Sequence, residues 1–252
     1  MFCGKAVDPA EISSGEKEYA DLLDDFKRRG KQVNQPAIIR TRREIIQHAQ
    51  ALCWAVDNIV LAGLPWTEEA VKKVHALLYG DMGNDEIVPG EYRGPDHPIA
   101  ASYTDPKTGK EKLTRFVHPR AVPSYMANWV KALNEDVERA ESGIPFDPYD
   151  LAAKHYHHFI NIHPFGDDNG RTSRIILNCL ALKFTGHFVP IGEDDMERNE
   201  FLAIAVKGAK KYHEEDNEVA LDGQKGHREM AEFMARKSMK SLKRMWAWAK
   251  KT

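Results

Sequence analysis

Residues 163–174 read HPFGDDNGRTSR. Twelve positions hold a histidine (His163), two carboxylates (Asp167 and Asp168) and two arginines (Arg171 and Arg174). A histidine can take a proton from a hydroxyl near neutral pH, so His163 suits general-base work. Asp167 offers the hard oxygen that Mg²⁺ accepts when it bridges phosphates. Arg171 and Arg174 are three apart and share a face if the segment is helical. Each guanidinium fork can grip a phosphate through two parallel bonds. A base, a metal carboxylate and two arginines suit phosphoryl or nucleotidyl transfer. The plainer alternative makes His163 an ordinary loop histidine and pairs the arginines with Asp167 and Asp168. It is the better reading for any one of these residues taken alone. It is the poorer one for all of them within one short segment.

Elements on both sides must position that segment. Leu151, His155, Phe159 and Ile162 recur at spacings of three or four, which predicts a helix over 148–162. Pro164 ends it. A polar loop follows over 166–170, and Ile175, Ile176, Leu177, Leu180 and Leu182 predict an apolar helix over 169–184. A helix start behind a glycine-bearing loop is an anion site, because its first N–H groups point outward and its dipole favours negative charge. Two guanidiniums at that end oppose the dipole and cost stability unless an anion sits between them.

The rest of the chain reads as mostly helical. Helices are predicted over 16–29, 38–61, 121–141 and 194–213, with another opening at Thr67, Glu68 and Glu69. In the 38–61 helix the apolar positions Ile38, Ile45, Ala49, Leu52, Ala55 and Val56 predict the buried face. The stretch 80–120 is dense in glycine and proline, and its segments 99–104 and 112–117 flank DPKTGKE. That pattern predicts a β-hairpin. The tail 226–250 predicts a basic amphipathic helix carrying Met230, Phe233, Met234, Met239, Leu242, Met245, Trp246 and Trp248. Its apolar stripe is expected to pack on the core, with a membrane-surface or partner-docking role as the other reading.

A formal net charge of −2 gives no general attraction to nucleic acid, so RNA and DNA are not expected partners. Cys3, Cys53 and Cys179 are odd in number and far apart, which predicts reduced thiols rather than a disulfide framework or zinc spacing. No apolar run has membrane-spanning length, and the start lacks a basic region followed by an apolar stretch. No membrane partner is expected, and an intracellular, cytoplasmic location is. The target protein is not readable from the sequence, and a homodimer stays open.

HPFGDDNGRTSR resembles the Fic family signature, HxFx(D/E)GNGRxxR, with Asp168 in the place of the first glycine. PGEYRG at 89–94 is similar to the family's approach to its flap, and HYHHFINIHPF and RIILNCLALKFTGHFVPI resemble the helices entering and leaving the motif. The resemblance implies an all-α Fic fold, a helical bundle with a β-hairpin flap. It implies an N-terminal helical segment over 1–37, a Fic domain over 38–213 and a C-terminal helix over 214–252 packed on that domain. It implies a protein adenylyltransferase that moves AMP from ATP to a Ser, Thr or Tyr hydroxyl, with Mg²⁺ as cofactor. His163 would deprotonate the target hydroxyl, Phe165 would anchor the loop, and Asp167 would hold Mg²⁺. Asn169 and Gly170 would bind phosphate through the loop, and Arg171 and Arg174 would hold the β- and γ-phosphates. Asp168 falls among these phosphate-binding positions. It is expected to keep the loop shape, because Asp tolerates αL, and to turn its carboxylate to solvent or cap the helix. The target would dock along 99–117 by main-chain pairing.

Two alternatives stay beside this reading: removal of AMP or transfer of another nucleotide, and a nucleotide-binding pseudoenzyme because of Asp168. Relatives in the family are often silenced by a helix whose Glu pairs with the last motif arginine. Ser14 and Glu18 match part of that pattern, but Tyr19 stands where Gly or Asn should follow. Glu18 is therefore not expected to inhibit, and an inhibitory helix ahead of Met1 is the other reading. His155, His157 and His158 are not expected to bind zinc, since neighbours in sequence do not share a helix face. Phe201 and Leu202 are candidates for an adenine wall, with core packing the preferred reading.

Overall fold

The computed structural model describes residues 17–28, 30, 34–80, 87–96, 99–104, 111–215 and 223–250. Cys3, Ser14 and the 105–110 connection lie outside these residues. Eight α-helices are described: α1 (Lys17–Arg28), α2 (Gln35–Ala55), α3 (Glu68–Tyr79), α4 (Val122–Glu141), α5 (Pro148–Ile162), α6 (Asn169–Thr185), α7 (Asp195–Glu215) and α8 (Arg228–Ala249). Between α3 and α4, strands β1 (Ala100–Thr104) and β2 (Glu111–Arg115) pair antiparallel, with Ala100 opposite Arg115 and Thr104 opposite Glu111. No helix among the described residues is long and apolar enough to cross a membrane.

Local chemistry sets the helix starts. Asn34, Thr67 and Asp147 each accept a hydrogen bond from the first turn they precede. A cap of this kind stabilises a helix by about 1 kcal/mol. α5 sits at the centre, packed against α4, α6, α7 and α8. Its Phe159, together with Phe165, Met126, Leu133, Ile175, Ile176, Leu177 and Leu180, is fully buried. Each such side chain contributes roughly 1.5–3 kcal/mol of transfer free energy. α5 and α6 meet at the polar loop, so this core fixes the loop from both sides.

Three expectations are corrected. The helix predicted over 38–61 is not one regular α-helix: it widens into a π turn at Val56–Leu61. On α2, Ile45 is 53% exposed, whereas Arg42 and Gln47 are buried. Ile38 and Ala55 are buried as expected, but between them Arg42 meets Glu18 of α1 at 3.1 Å and Gln47 lies against Gly80. A Cβ at Gly80 would come within 2.1 Å of the Gln47 amide. The third correction concerns α8. Met230, Phe233 and Met234 enter the core as expected, but Met239, Leu242, Met245, Trp246 and Trp248 are exposed. The helix outruns the body it packs on. Its inner half is held by Lys237, which is buried against Glu197 and 3.4 Å from Glu193, and by Tyr149, whose hydroxyl donates to Ser238 at 2.6 Å.

Candidate active site

The turn between α5 and α6 is bent by two residues in the left-handed region. His163 (φ 52°) closes α5, and Asp168 (φ 57°) precedes α6. Asn169 staples the loop between them. Its side chain is buried, its Oδ1 accepts from the Phe165 N–H at 2.9 Å, and its Nδ2 donates to the Phe165 carbonyl at 2.9 Å. Asn169 therefore serves the loop with its side chain and has its backbone left to face a ligand. Phe165 is fully buried and stacks on His75 of α3, with ring centroids 3.9 Å apart. Gly166 is needed for close approach, since a Cβ there would lie 2.9 Å from Ile87.

His163 is partly buried. Its Nδ1 lies 3.0 Å from the Ile160 carbonyl. A carbonyl can only accept, so Nδ1 carries the proton and Nε2 keeps its lone pair. Phe116, just beyond β2, stacks flat on the ring at 3.8 Å. Burial, with Arg93 adding to it, lowers the His163 pKa to about 4 despite the Ile160 hydrogen bond. The imidazole is thus neutral at physiological pH and held in one tautomer, as a general base requires.

The two arginines differ. Arg171 pairs with Asp168: its Nε donates to Oδ1 at 2.7 Å, and Nη2 also sits against Oδ1. Asp168 makes no capping hydrogen bond to α6 and is 6% exposed. The expectation that its carboxylate turns to solvent or caps the helix is therefore corrected, while its left-handed backbone agrees with the tolerance of Asp for that region. The cause is reach, because three residues along a helix start the guanidinium lies directly over the carboxylate. Burial raises the Asp168 pKa and Arg171 opposes the rise. Among the described residues Arg174 has no carboxylate within ion-pair distance, and desolvation lowers its pKa. Asp167 is exposed, and its Oδ1 accepts from the Asp168 N–H at 2.7 Å.

These residues line one cleft of about 390 Å³: His163, Gly166, Asp167, Asp168, Asn169, Gly170, Arg171 and Arg174, with Ile99, Ala100 and Phe116 from the strand ends. The first N–H groups of α6 open there without intrahelical partners. Phe201 is buried against Tyr156 and Phe233, Leu202 is exposed, and neither lines the cleft. His155 is buried on Asp136 at 3.0 Å. His157 and His158 both reach Tyr212, so neighbours on α5 share one aromatic partner after all.

Three residues near the cleft were missed from the sequence. Arg93 is buried and fastens the turn: its N–H donates to the Pro164 carbonyl at 2.9 Å, its Nε to the His163 carbonyl at 2.7 Å, and its Nη2 to the Val117 carbonyl. It ties the exit of β2 to the base. His75 accepts the Gly90 N–H at 2.9 Å and so joins the same approach segment to Phe165. His48 of α2 lies near enough to Arg174 and Arg171 that both add to the lowering of its pKa by burial. The one available signal was PGEYRG, where an arginine stands among turn residues.

Among the described residues, no three His, Cys, Asp or Glu side chains gather as a metal cage. Mg²⁺ does not need one, because it takes one or two carboxylates and completes its shell with water and phosphate oxygens. The exposed Asp167 carboxylate at the cleft mouth fits that use.

A family model described as Fic/DOC matches residues 65–181. A Fido domain-containing protein of Dictyostelium discoideum is 33% identical over 97 residues, which is 38% of this chain and 65% of that protein. Protein adenylyltransferase fic-1 of Caenorhabditis elegans is 34% identical over 79 residues, 31% of this chain and 15% of that protein. The matches span less than two thirds of the length of these curated relatives. Among solved structures, a Fic domain-containing signalling protein from Bacteroides thetaiotaomicron superposes with a TM-score of 0.68 at 19% identity, covering 88% of this chain and 77% of that one. Fic-1 from C. elegans superposes with a TM-score of 0.62 at 20% identity, covering 96% and 60%. Likeness at these identities speaks for the fold.

Proposed function

We propose that this chain, whose residues 65–181 match a Fic/DOC family model, is a protein adenylyltransferase that moves AMP from ATP to a Ser, Thr or Tyr hydroxyl of another protein. One observation carries the reading. His163 presents an unprotonated Nε2 to the same cleft in which the half-buried Arg174, with no carboxylate partner among the described residues, meets the start of α6.

In this mechanism the target hydroxyl gives its proton to His163 Nε2. The freed oxygen attacks the α-phosphorus, the bond from that phosphorus to the bridging oxygen breaks, and pyrophosphate leaves. Arg174, Arg171 and the amides at Asn169 and Gly170 hold the departing phosphates. When bound at Asp167, Mg²⁺ supplies positive charge to those phosphate oxygens. Phe116 and Arg93 keep the His163 ring and its turn in place. β1 and β2 pair with each other, so their outer edges are free among the described residues to line up a target backbone. The segment 99–117 is thus the docking flap in this proposal. The catalytic unit is taken as 38–213, with 1–37 and 214–252 as flanking helical segments.

The second reading is a nucleotide-binding protein without transfer, and the Asp168–Arg171 pair favours it. Incubation with Mg²⁺, a cell lysate and ATP, GTP, CTP or UTP in turn separates the two. Peptide mass spectrometry should find the mass of AMP on hydroxyl side chains with ATP. Nucleotide binding with no added mass from any of the four would reject the transferase. Loss of AMP from a pre-modified protein, without addition, would assign the reverse reaction.

A further inference from the structure

Asp168 puts a carboxylate at the bend of a loop that is read here as a phosphate site. Its backbone takes φ 57° and ψ 10°, so the turn survives the presence of a side chain. That side chain is buried and meets Arg171 through Oδ1 alone. A well-matched pair sets two nitrogens against two oxygens in parallel. Here both nitrogens share one oxygen. Among the described residues, Asp168 Oδ2 and Arg171 Nη1 are left buried without a hydrogen-bond partner. A buried ion pair with unmet polar atoms gains little over its desolvation cost. It is therefore a contact that a better partner can open.

We infer that Asp168 is a built-in competitor for the phosphate site, its carboxylate occupying the Arg171 guanidinium that a phosphate would otherwise take. This rests on the phosphate-site reading above. The loop then sets two carboxylates, Asp167 and Asp168, against two guanidiniums, Arg171 and Arg174. With glycine at 168 the same loop would be one unit more positive. Glu44 of α2 adds to the negative field at Asp168. A phosphate that arrives alone must displace Asp168 and leave its carboxylate bare beside a second anion. A phosphate that arrives with a divalent cation gives that carboxylate a partner. Asp168 thereby makes phosphate capture conditional on the cation, and the site discriminates between metal-bound and metal-free polyphosphates.

Isothermal titration with inorganic pyrophosphate tests this in the full chain, once with a chelator and once with Mg²⁺. Asp168→Asn removes the charge and keeps a residue that tolerates αL, and Asp168→Gly removes the side chain. Without metal, both variants should bind pyrophosphate about tenfold or more tighter than wild type, since like charges side by side in a site cost several kcal/mol. Mg²⁺ should improve wild type by a larger factor than either variant. Arg171→Ala should cancel the gain in Asp168→Asn, because the guanidinium that the substitution frees for phosphate is then gone. Equal metal-free affinity in wild type and both variants overturns the competitor and leaves the phosphate site standing. Failure of every protein to bind pyrophosphate, with or without Mg²⁺, removes the phosphate site and the competitor together. If Asp168→Asn does not fold, Asp168→Gly carries the comparison.

Discussion

α5 carries histidines into two buried places, and they differ in what surrounds them. At its end, His163 is held at a pKa of about 4 and opens on a cleft with two arginines and a helix start. On its flank, His157 and His158 are lowered further, to about 3 and about 2, chiefly by burial. Their Nε2 atoms are buried without hydrogen-bond partners among the described residues. But this second place is packed shut. Tyr212 covers both rings at 5.6 and 5.9 Å, and a Cβ at Gly226 would come within 2.7 Å of His157 Nε2. His227 stands 6.4 Å from His157 and is tied to Asp150 at 3.1 Å. An unpartnered imidazole nitrogen thus marks chemistry where open volume and uncompensated charge meet it. Elsewhere it belongs to the packing between helices.

The largest effect that sharpens this contrast belongs to Arg174. Its guanidinium is half-buried without a carboxylate partner among the described residues, which costs free energy until an anion arrives. At a hundredfold excess over Kd, ATP with Mg²⁺ should stabilise wild type by about 2.7 kcal/mol. Arg174→Ala should lose most of the matching rise in Tm while leaving the ligand-free protein as stable or more so. A ligand-free Arg174→Ala protein that melts well below wild type would assign Arg174 a structural pairing and break the contrast.

Next comes acid. His157 and His158 have folded pKa values below the unfolded value of about 6.5. Between those values the unfolded chain binds more protons than the folded one. Their stabilisation is therefore complete above pH 6.5 and is lost as pH falls toward 3. At pH 5 each should have cost on the order of 1–2 kcal/mol. Asp136 and Asp150 are also held below the usual carboxylate value by histidine and lysine partners, but carboxylates lose that stabilisation only below about pH 5. Tm should fall steadily from pH 7.5 to 5, and His157→Gln should flatten the slope without changing nucleotide binding. A flat Tm across that range would contradict the closed cluster.

The smallest effect is expected at Glu18. It pairs with Arg42 at 3.1 Å and, among the described residues, not with Arg174, and is itself half exposed. Glu18→Gly should alter the rate of auto-modification less than twofold. A large gain would make α1 a brake on the site.

Much of this arrangement is legible in the sequence because its chemistry is local. Thr67 and Asp147 mark helix starts with their capping side chains and Pro164 marks a helix end with its ring, and His163 through Arg174 sit on one short segment. What escapes the sequence is what the fold brings from a distance. Arg93 reaches the His163 carbonyl across 70 positions, and no spacing rule connects them. On α2 the apolar period points at Ile45, yet Arg42 and Gln47 turn inward because their neighbours, Glu18 and Gly80, offer charge and room. The amphipathic pattern of α8 runs on through Trp246 and Trp248 past the surface that could bury it. For Asp168 the backbone conformation follows from the residue type, but the direction of its carboxylate depends on where Arg171 lies.

The central claim is that His163 moves the proton while the start of α6 holds the phosphates. Single-turnover transfer from ATP, followed by mass spectrometry with nucleotide affinity measured in parallel, separates those roles. His163→Ala should slow transfer by roughly two to four orders of magnitude, the usual range for loss of a general base, with its ATP affinity within about twofold of wild type. Transfer at the wild-type rate, or a collapse of ATP affinity together with transfer, would contradict that division of labour.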